Sequence, residues 1–260
     1  LNTVTLDFAR NPMPGRPLVT AAGRFLSAPG RYFPRMYTPT SPDHLVDAIR
    51  DEVDAGAGWI KIIGDFPQWS ETGPVPDSLE MSYDIDTLRR AVHTAHSLGA
   101  RLALHSNLPA SELVAIGVDS FEHGTALTRE DVQALGARGG AWTPTLGAIM
   151  AQRHAPDPAV RKRVAEIREH MRDVLPHAIT HGVRVLAGTD VVATIAEEIA
   201  LLADCGLTVE QALAAAGSHA RNYLGIAPDG DLVTYHTDPR THPEILTTPA
   251  SVIIRGVRVA

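Results

Sequence analysis

Four side chains of the 260-residue sequence stand in or at the end of stretches that read as strands, and their types suit metal or carbonyl chemistry. Lys61 lies within Trp59-Ile60-Lys61-Ile62-Ile63, bounded by Gly58 and Gly64. The chain has only two lysines, and the other, Lys162, sits in an Arg-Lys-Arg run. An ammonium in an apolar strand is costly to desolvate unless it is paired, neutralised or chemically changed. The plain alternative is a side chain that snorkels past the strand end. His105 closes Arg-Leu-Ala-Leu-His, His123 closes Asp-Ser-Phe-Glu-His, and Asp190 closes Leu-Ala-Gly-Thr-Asp. Two imidazoles and a carboxylate suit a divalent ion of borderline softness. One histidine at a strand end is ordinarily structural, because function needs a site rather than a residue. Four such residues in four separate strand units are harder to dismiss.

Positioning them falls to an alternation of strands and helices. Strands are expected over residues 3–9, 17–23, 59–63, 101–105, 119–123, 141–146 and 184–190, the sixth only with Pro144 near its end. A helix opens at Ser41-Pro42 and ends near Gly56. Others are expected from about Asp86 to Gly99, over 111–116, from Thr128 to about Arg138 behind a capping box, over 158–181, 193–204 and 208–224. The loops at 30–40 and 64–83 carry Arg31, Tyr32 and Trp69, which should overhang the mouth and could grip a substrate carboxylate or ring, or have no role. Strand–helix alternation means parallel βα units. A doubly wound sheet and a (β/α)8 barrel compete. No Gly-rich phosphate loop follows any strand, and polar residues end several different strands, which favours the barrel. The count is seven strands, one short of closure. His177 and His181, His93 and His96 are read as features of helix surfaces.

Composition narrows the partners. With 44% apolar and 20% charged residues the chain is of ordinary globular type. A net charge of −7 without a basic block argues against nucleic acid or anionic membrane. A single cysteine, Cys205, excludes an internal disulfide and fits a reducing, cytoplasmic compartment. No apolar run approaches the ~20 residues of a membrane span, and no signal peptide is visible. A small molecule is the expected partner, and the sequence does not decide whether the chain forms a homo-oligomer.

The ordered set of motifs resembles the metal-dependent amidohydrolase superfamily, in particular its imidazolonepropionase-like and prolidase-like members, over nearly the whole chain. Gly-Ala-Gly-Trp-Ile-Lys-Ile (56–62) looks like the strand-four motif whose lysine is carboxylated by CO2. Ala-His-x-x-Gly-Ala-Arg-Leu-Ala-Leu-His (95–105) looks like the strand-five histidine motif, Asp-Ser-Phe-Glu-His-Gly (119–124) the strand-six motif and Leu-Ala-Gly-Thr-Asp (186–190) the strand-eight motif. Residues 231–235 with 252–257 look like the C-terminal half of the family's small β-sandwich.

The resemblance implies a barrel over residues 1–225, from strand two to strand eight, and half of a sandwich over 226–260. It implies one or two divalent ions, zinc first, with Lys61 as a carbamate bridging two cations, His105 and His123 on one metal, and Asp190 as ligand and proton carrier. A metal-activated water would then cleave an amide C–N bond of a dipeptide, an N-acyl amino acid or a cyclic amide. The departure is the family's strand-one His-x-His pair, which occurs nowhere here. The chain also opens on Leu1 rather than Met, so the expectation is an N-terminal truncation, with sandwich segments left without partners. Two other functions compete: a class I aldolase-like lyase forming a Schiff base on Lys61, and a non-catalytic relative that binds a small molecule.

Overall fold

A computed structural model describes residues 6–227 and 230–260. A one-turn helix, α1 (Leu6–Arg10), precedes a parallel sheet of seven strands: β1 (Phe25–Ser27), β2 (Thr38–Pro39), β3 (Trp59–Ile63), β4 (Arg101–Ser106), β5 (Ser120–His123), β6 (Ala141–Thr143) and β7 (Arg184–Val185). Their order is β7-β6-β5-β4-β3-β1-β2, every pair parallel. The connections are helical from β2 onward: α2 (Leu45–Asp54), α3 (Ile85–Ser97), α4 (Ser111–Ala115), α5 (Arg129–Ala137), then α6 (Leu146–Met150) and α7 (Pro158–Thr180) before β7. Helices α8 (Ile195–Asp204), α9 (Val209–Ala216) and α10 (Ser218–Leu224) follow. A second, antiparallel sheet joins β8 (Leu232–Thr234), β9 (Ser251–Ile254) and β10 (Val257–Arg258). No helix among the described residues is long and apolar enough to cross a membrane.

The period-two geometry of the strands divides the sheet into two faces. Ile60 and Ile62 of β3, Leu102 and Leu104 of β4, Phe121 of β5 and Trp142 of β6 point to the helices and are fully buried in one core with Leu88, Val92, Leu135 and Leu175. Each such side chain stabilises the fold by roughly 1.5–3 kcal/mol on burial. The other face carries Lys61, Ala103, His105, Ser120, Glu122 and Thr143. A chain needing only a core would not place five polar side chains on that face, so this is where chemistry is to be sought.

Helix ends follow local sequence. Asp84 accepts from the Thr87 amide at 2.7 Å, and Thr128 with Asp131, Thr194 with Glu197 and Thr208 with Gln211 form reciprocal capping boxes. Asp157 caps α7, which carries Pro158 at its first position.

Several expectations are corrected. Of the strand expected over 3–9, residues 3–5 lie outside the described residues and the remainder is α1, closed by Asn11 donating to the Asp7 carbonyl at 2.8 Å. Residues 17–23 form no strand: Pro17 lacks an amide donor, and Gly23 turns the chain at φ 69° just ahead of β1. The first two strands are instead Phe25–Ser27 and Thr38–Pro39, the second within the stretch read as a loop. Beyond Val185 the segment to Asp190 leaves the ladder. The single helix expected over 208–224 is two, broken at Gly217 (φ −133°, ψ −98°). The C-terminal segments, expected to lack partners, pair with each other, β9 turning into β10 through Arg255 and Gly256 at positive φ.

Candidate active site

Register sets the floor of the site. Phe25, Lys61, Ala103, Ser120 and Ala141 stand in one row across the sheet, and Ile63, His105, Glu122 and Thr143 stand in the row above, toward the strands' C-terminal ends. Lys61 therefore lies one layer deeper than His105, on the same face. Gly64 lets β3 approach β4 there: its amide donates to the His105 carbonyl at 3.0 Å, and a Cβ on it would stand 2.8 Å from that oxygen.

His123 should point the other way. Its neighbour Glu122 already faces the cavity, so strict alternation sends His123 toward the helices. A left-handed backbone at His123 (φ 66°), followed by Gly124 (φ 58°), swings the ring inward, and Trp142 Nε1 donates to the His123 carbonyl at 2.8 Å to hold that turn. Thr145 (φ 50°), Asp190 (φ 45°) and Val191 (φ 54°) share this conformation. Strain of this kind costs on the order of 1–3 kcal/mol per residue and persists where the surroundings over-determine it. At Thr145 the constraint is visible: the buried Glu198 carboxylate accepts from the next two amides, Leu146 at 2.9 Å and Gly147 at 2.8 Å. Burial pushes the Glu198 carboxyl up to about 7.

The result is a cavity of about 350 Å³ lined by Lys61, His105, Glu122, His123, Thr145 and Asp190, with Tyr32, Trp59 and Tyr223 among its walls. An adjoining cleft of about 500 Å³ shares Tyr32, His105, His123 and Asp190 and opens between the Phe33–Phe66 wall and Val160, Arg163 and Ile167 of α7. The two imidazoles meet edge to face, His105 Nδ1 lying 3.0 Å from His123 Nε2. Asn107 Nδ2 lies 3.0 Å from His105 Nε2, and Thr145 Oγ1 lies 2.5 Å from His123 Nδ1.

Electrostatics follow from burial. Desolvation, then the neighbouring His123 and Lys61, hold the His105 imidazole well below its usual range. The same desolvation with Lys61 brings His123 down to about 3. Both rings are thus neutral near pH 7. Desolvation also lowers Lys61, against the opposing pull of Glu122, Asp190 and Asp65. Its amine has no salt-bridge partner within 4.0 Å among the described residues. Burial raises Asp190, with Lys61 opposing and Glu122 assisting. Burial and the Asp190 charge push the Tyr32 phenol up to about 12.

All four sequence-derived candidates, Lys61, His105, His123 and Asp190, line one cavity. Only the two histidines touch. Among the described residues no three His, Cys, Asp or Glu side chains are grouped to hold a metal ion. The donor chemistry nevertheless fits such a group. Two neutral imidazole nitrogens face each other across 3.0 Å, with a depressed amine and two carboxylates on the same wall. Four residues escaped the sequence reading: Glu122, Asn107, Thr145 and Asp65. Alternation in Ser120-Phe121-Glu122 was a usable signal for the first. The others depend on contacts between distant loops, such as Asp65 accepting from the Asn107 and Leu108 amides at 2.7 and 3.1 Å. Of the loop residues, Tyr32 lines the site, while Arg31 is consumed as a staple, donating to the Phe66 and Ser78 carbonyls and pairing with Glu80.

Known proteins resemble this chain in sequence or in fold. A protein of Mycobacterium tuberculosis (strain ATCC 25618 / H37Rv), described as uncharacterized, is 33% identical over 269 residues, covering 92% of this chain and 68% of its own length. A crystal structure of a prolidase complexed with N-methylphosphonate-L-proline superposes with a TM-score of 0.75 at 21% identity, over 94% of this chain and 69% of that one. The ochratoxinase of A. niger superposes with a TM-score of 0.75 at 18% identity, over 93% and 66%. At those identities the likeness is one of fold. The family model described as "Amidohydrolase family" matches residues 15–235, most of the chain, so the chain belongs to the amidohydrolase family of hydrolases.

Proposed function

We propose that the protein is a metal-dependent hydrolase that cleaves amide C–N bonds of small substrates such as dipeptides, N-acyl amino acids or cyclic amides. The observation that carries this reading is the meeting of two neutral imidazoles, His105 and His123, at 3.0 Å in a cavity that Lys61 and Asp190 also line. His105 and His123 would hold the ion, zinc by donor type, and Lys61 would join them as its carbamate. The lowered basicity of Lys61 supports that role, because only the neutral amine adds CO2. When bound, the ion supplies Lewis acidity toward an amide carbonyl and an acidified water.

The chain's own groups then have definable tasks. Asp190, raised by burial, is suited to take a proton at its carboxylate and return it to the leaving nitrogen. Tyr32 and the Phe33–Phe66 wall give the outer cleft an apolar side that excludes water and orients a side chain. The prolidase and ochratoxinase likenesses support a small amide as substrate. A cytoplasmic enzyme with neither nucleic acid nor membrane as partner is part of the same proposal.

The test is release of free amine from a panel of dipeptides and N-acyl amino acids by protein reconstituted with zinc and bicarbonate, with and without chelator. The reading expects chelator-sensitive release that Asp190→Asn lowers by about 10²-fold or more, the size of a lost acid–base group. Chelator-resistant release would overturn it. One observation favours a second reading: a depressed, unpaired lysine amine in a cavity is also what Schiff-base chemistry requires. Borohydride trapping of a carbonyl substrate on Lys61 would establish that reading in place of the first.

A further inference from the structure

The two histidines belong to a hydrogen-bonded chain whose direction can be read from one end to the other. Thr125 Oγ1 donates to Asn107 Oδ1 at 3.0 Å, and Asn107 Nδ2 donates to His105 Nε2 at 3.0 Å. A neutral imidazole that accepts on one nitrogen carries its proton on the other. His105 Nδ1 therefore donates to His123 Nε2 at 3.0 Å, and His123 Nδ1 donates to Thr145 Oγ1 at 2.5 Å. Thr145 Oγ1 closes the chain by donating to the Pro144 carbonyl at 2.7 Å. In this direction the His105 proton occupies the space between the rings, and no lone pair is free on the His105 side.

The opposite direction is equally well provided for at the Asn107 end. Thr125 Oγ1 lies 3.0 Å from Asn107 Oδ1 and 3.3 Å from the Asn107 backbone carbonyl. If the amide turns over, Nδ2 donates to Thr125 Oγ1, the hydroxyl donates to that backbone carbonyl, and Oδ1 accepts from His105 Nε2–H. The Asn107 backbone stays fixed meanwhile, because its amide donates to buried Asp65. The His105 proton then sits on Nε2. The lone pairs of His105 Nδ1 and His123 Nε2 face each other across 3.0 Å, an arrangement that repels unless a cation lies between them.

We propose that Asn107 is a positioning residue whose side-chain amide sets the His105 tautomer. One orientation links the two histidines to each other, and the other opens both toward a metal ion. The inference rests on the metal reading above but asks a separate question: where one proton sits. It predicts that a cation must turn the Asn107 amide over to bind, so part of its affinity is spent on that rearrangement.

Histidine-selective ¹⁵N NMR reads the tautomer directly. The metal-free protein is expected to carry Nδ1–H on His105, and zinc is expected to move the proton to Nε2. Asn107→Asp, which offers only acceptor oxygens at neutral pH, is expected to place the proton on Nε2 without metal and to bind zinc about 10-fold more tightly. Asn107→Leu is expected to bind zinc about 10-fold or more weakly, in the range typical for a lost ligand-orienting group. Nε2–H on His105 in the metal-free wild type, or equal zinc affinity in all three proteins, would overturn the inference. Failure of all three to take up zinc would overturn the coupling together with the metal reading. That failure is recognisable, because the metal-free tautomers of wild type and Asn107→Asp would still differ.

Discussion

Acid should destabilise the metal-free protein through the histidine pair, and the size of the effect can be worked out. In the native state His105 lies well below its usual range and His123 at about 3, both chiefly through desolvation. In the unfolded chain each titrates near 6.5. Between those values the unfolded state binds more protons than the native one, so stability rises with pH across the window and falls as pH drops through it. The slope is about 1.4 kcal/mol per pH unit for each histidine. From pH 7 to pH 4 that amounts to about 3 kcal/mol for His123, and His105 adds a loss of the same sign, against the 5–15 kcal/mol that holds a typical domain. The assay is urea unfolding of chelator-treated protein at intervals from pH 7 to pH 4. His105→Gln removes one titrating ring and the hydrogen bond to His123 together, so the comparison is of slopes rather than of stability at any one pH. The variant should lose less stability than wild type over this range, keeping the loss that His123 contributes. Glu198, raised to about 7, pulls in the opposite sense, stabilising as pH falls from 7 toward 4.5, but it does so in both proteins and cancels in the difference. Equal slopes for the two proteins would refute the reasoning, because they would mean that His105 is not held neutral.

Other perturbations report on the scaffold. Glu198→Ala leaves the amides of Leu146 and Gly147 without their acceptor, which should cost about 2–4 kcal/mol and speed hydrogen exchange at those two amides selectively. Gly64→Ala places a Cβ 2.8 Å from the His105 carbonyl oxygen, a backbone atom with little room to yield, so a loss of about 1–3 kcal/mol is expected in thermal unfolding. Trp142→Phe removes the donor to the His123 carbonyl and should weaken zinc uptake more than it lowers the unfolding midpoint. If Lys61 is carboxylated, folded protein incubated with ¹³C-bicarbonate and zinc should show a protein-bound carbamate signal in ¹³C NMR, and Lys61→Arg should abolish it.

The site residues were legible because each interrupts or ends a stretch that reads as a strand, and Lys61 in its apolar run also violates the ordinary cost of burial. His105, His123 and Asp190 each close such a stretch. What the sequence did not disclose is how His123 reaches the cavity. Strand alternation alone sends it to the helices, and the left-handed turn that corrects this is held by Trp142, nineteen residues away. Asn107 and Thr145 carry no local mark, since their roles exist only once β4, β5 and β6 are side by side. The parallel core was readable from β3 to β7, where helical patterns flank the strands. It was misplaced at the N-terminal side, where β1 and β2 have three and two residues and no period to detect, while the alternating Thr-Val-Thr-Leu-Asp-Phe offers a pattern that Leu6–Arg10 answers with a helix.

His105 and His123 form the proposed metal-binding centre. Equilibrium dialysis against zinc with bicarbonate, followed by elemental analysis, addresses this for wild type and for His105→Ala/His123→Ala. At least one zinc ion per chain is predicted for wild type and none for the double variant, while equal zinc content in the two proteins would contradict the account.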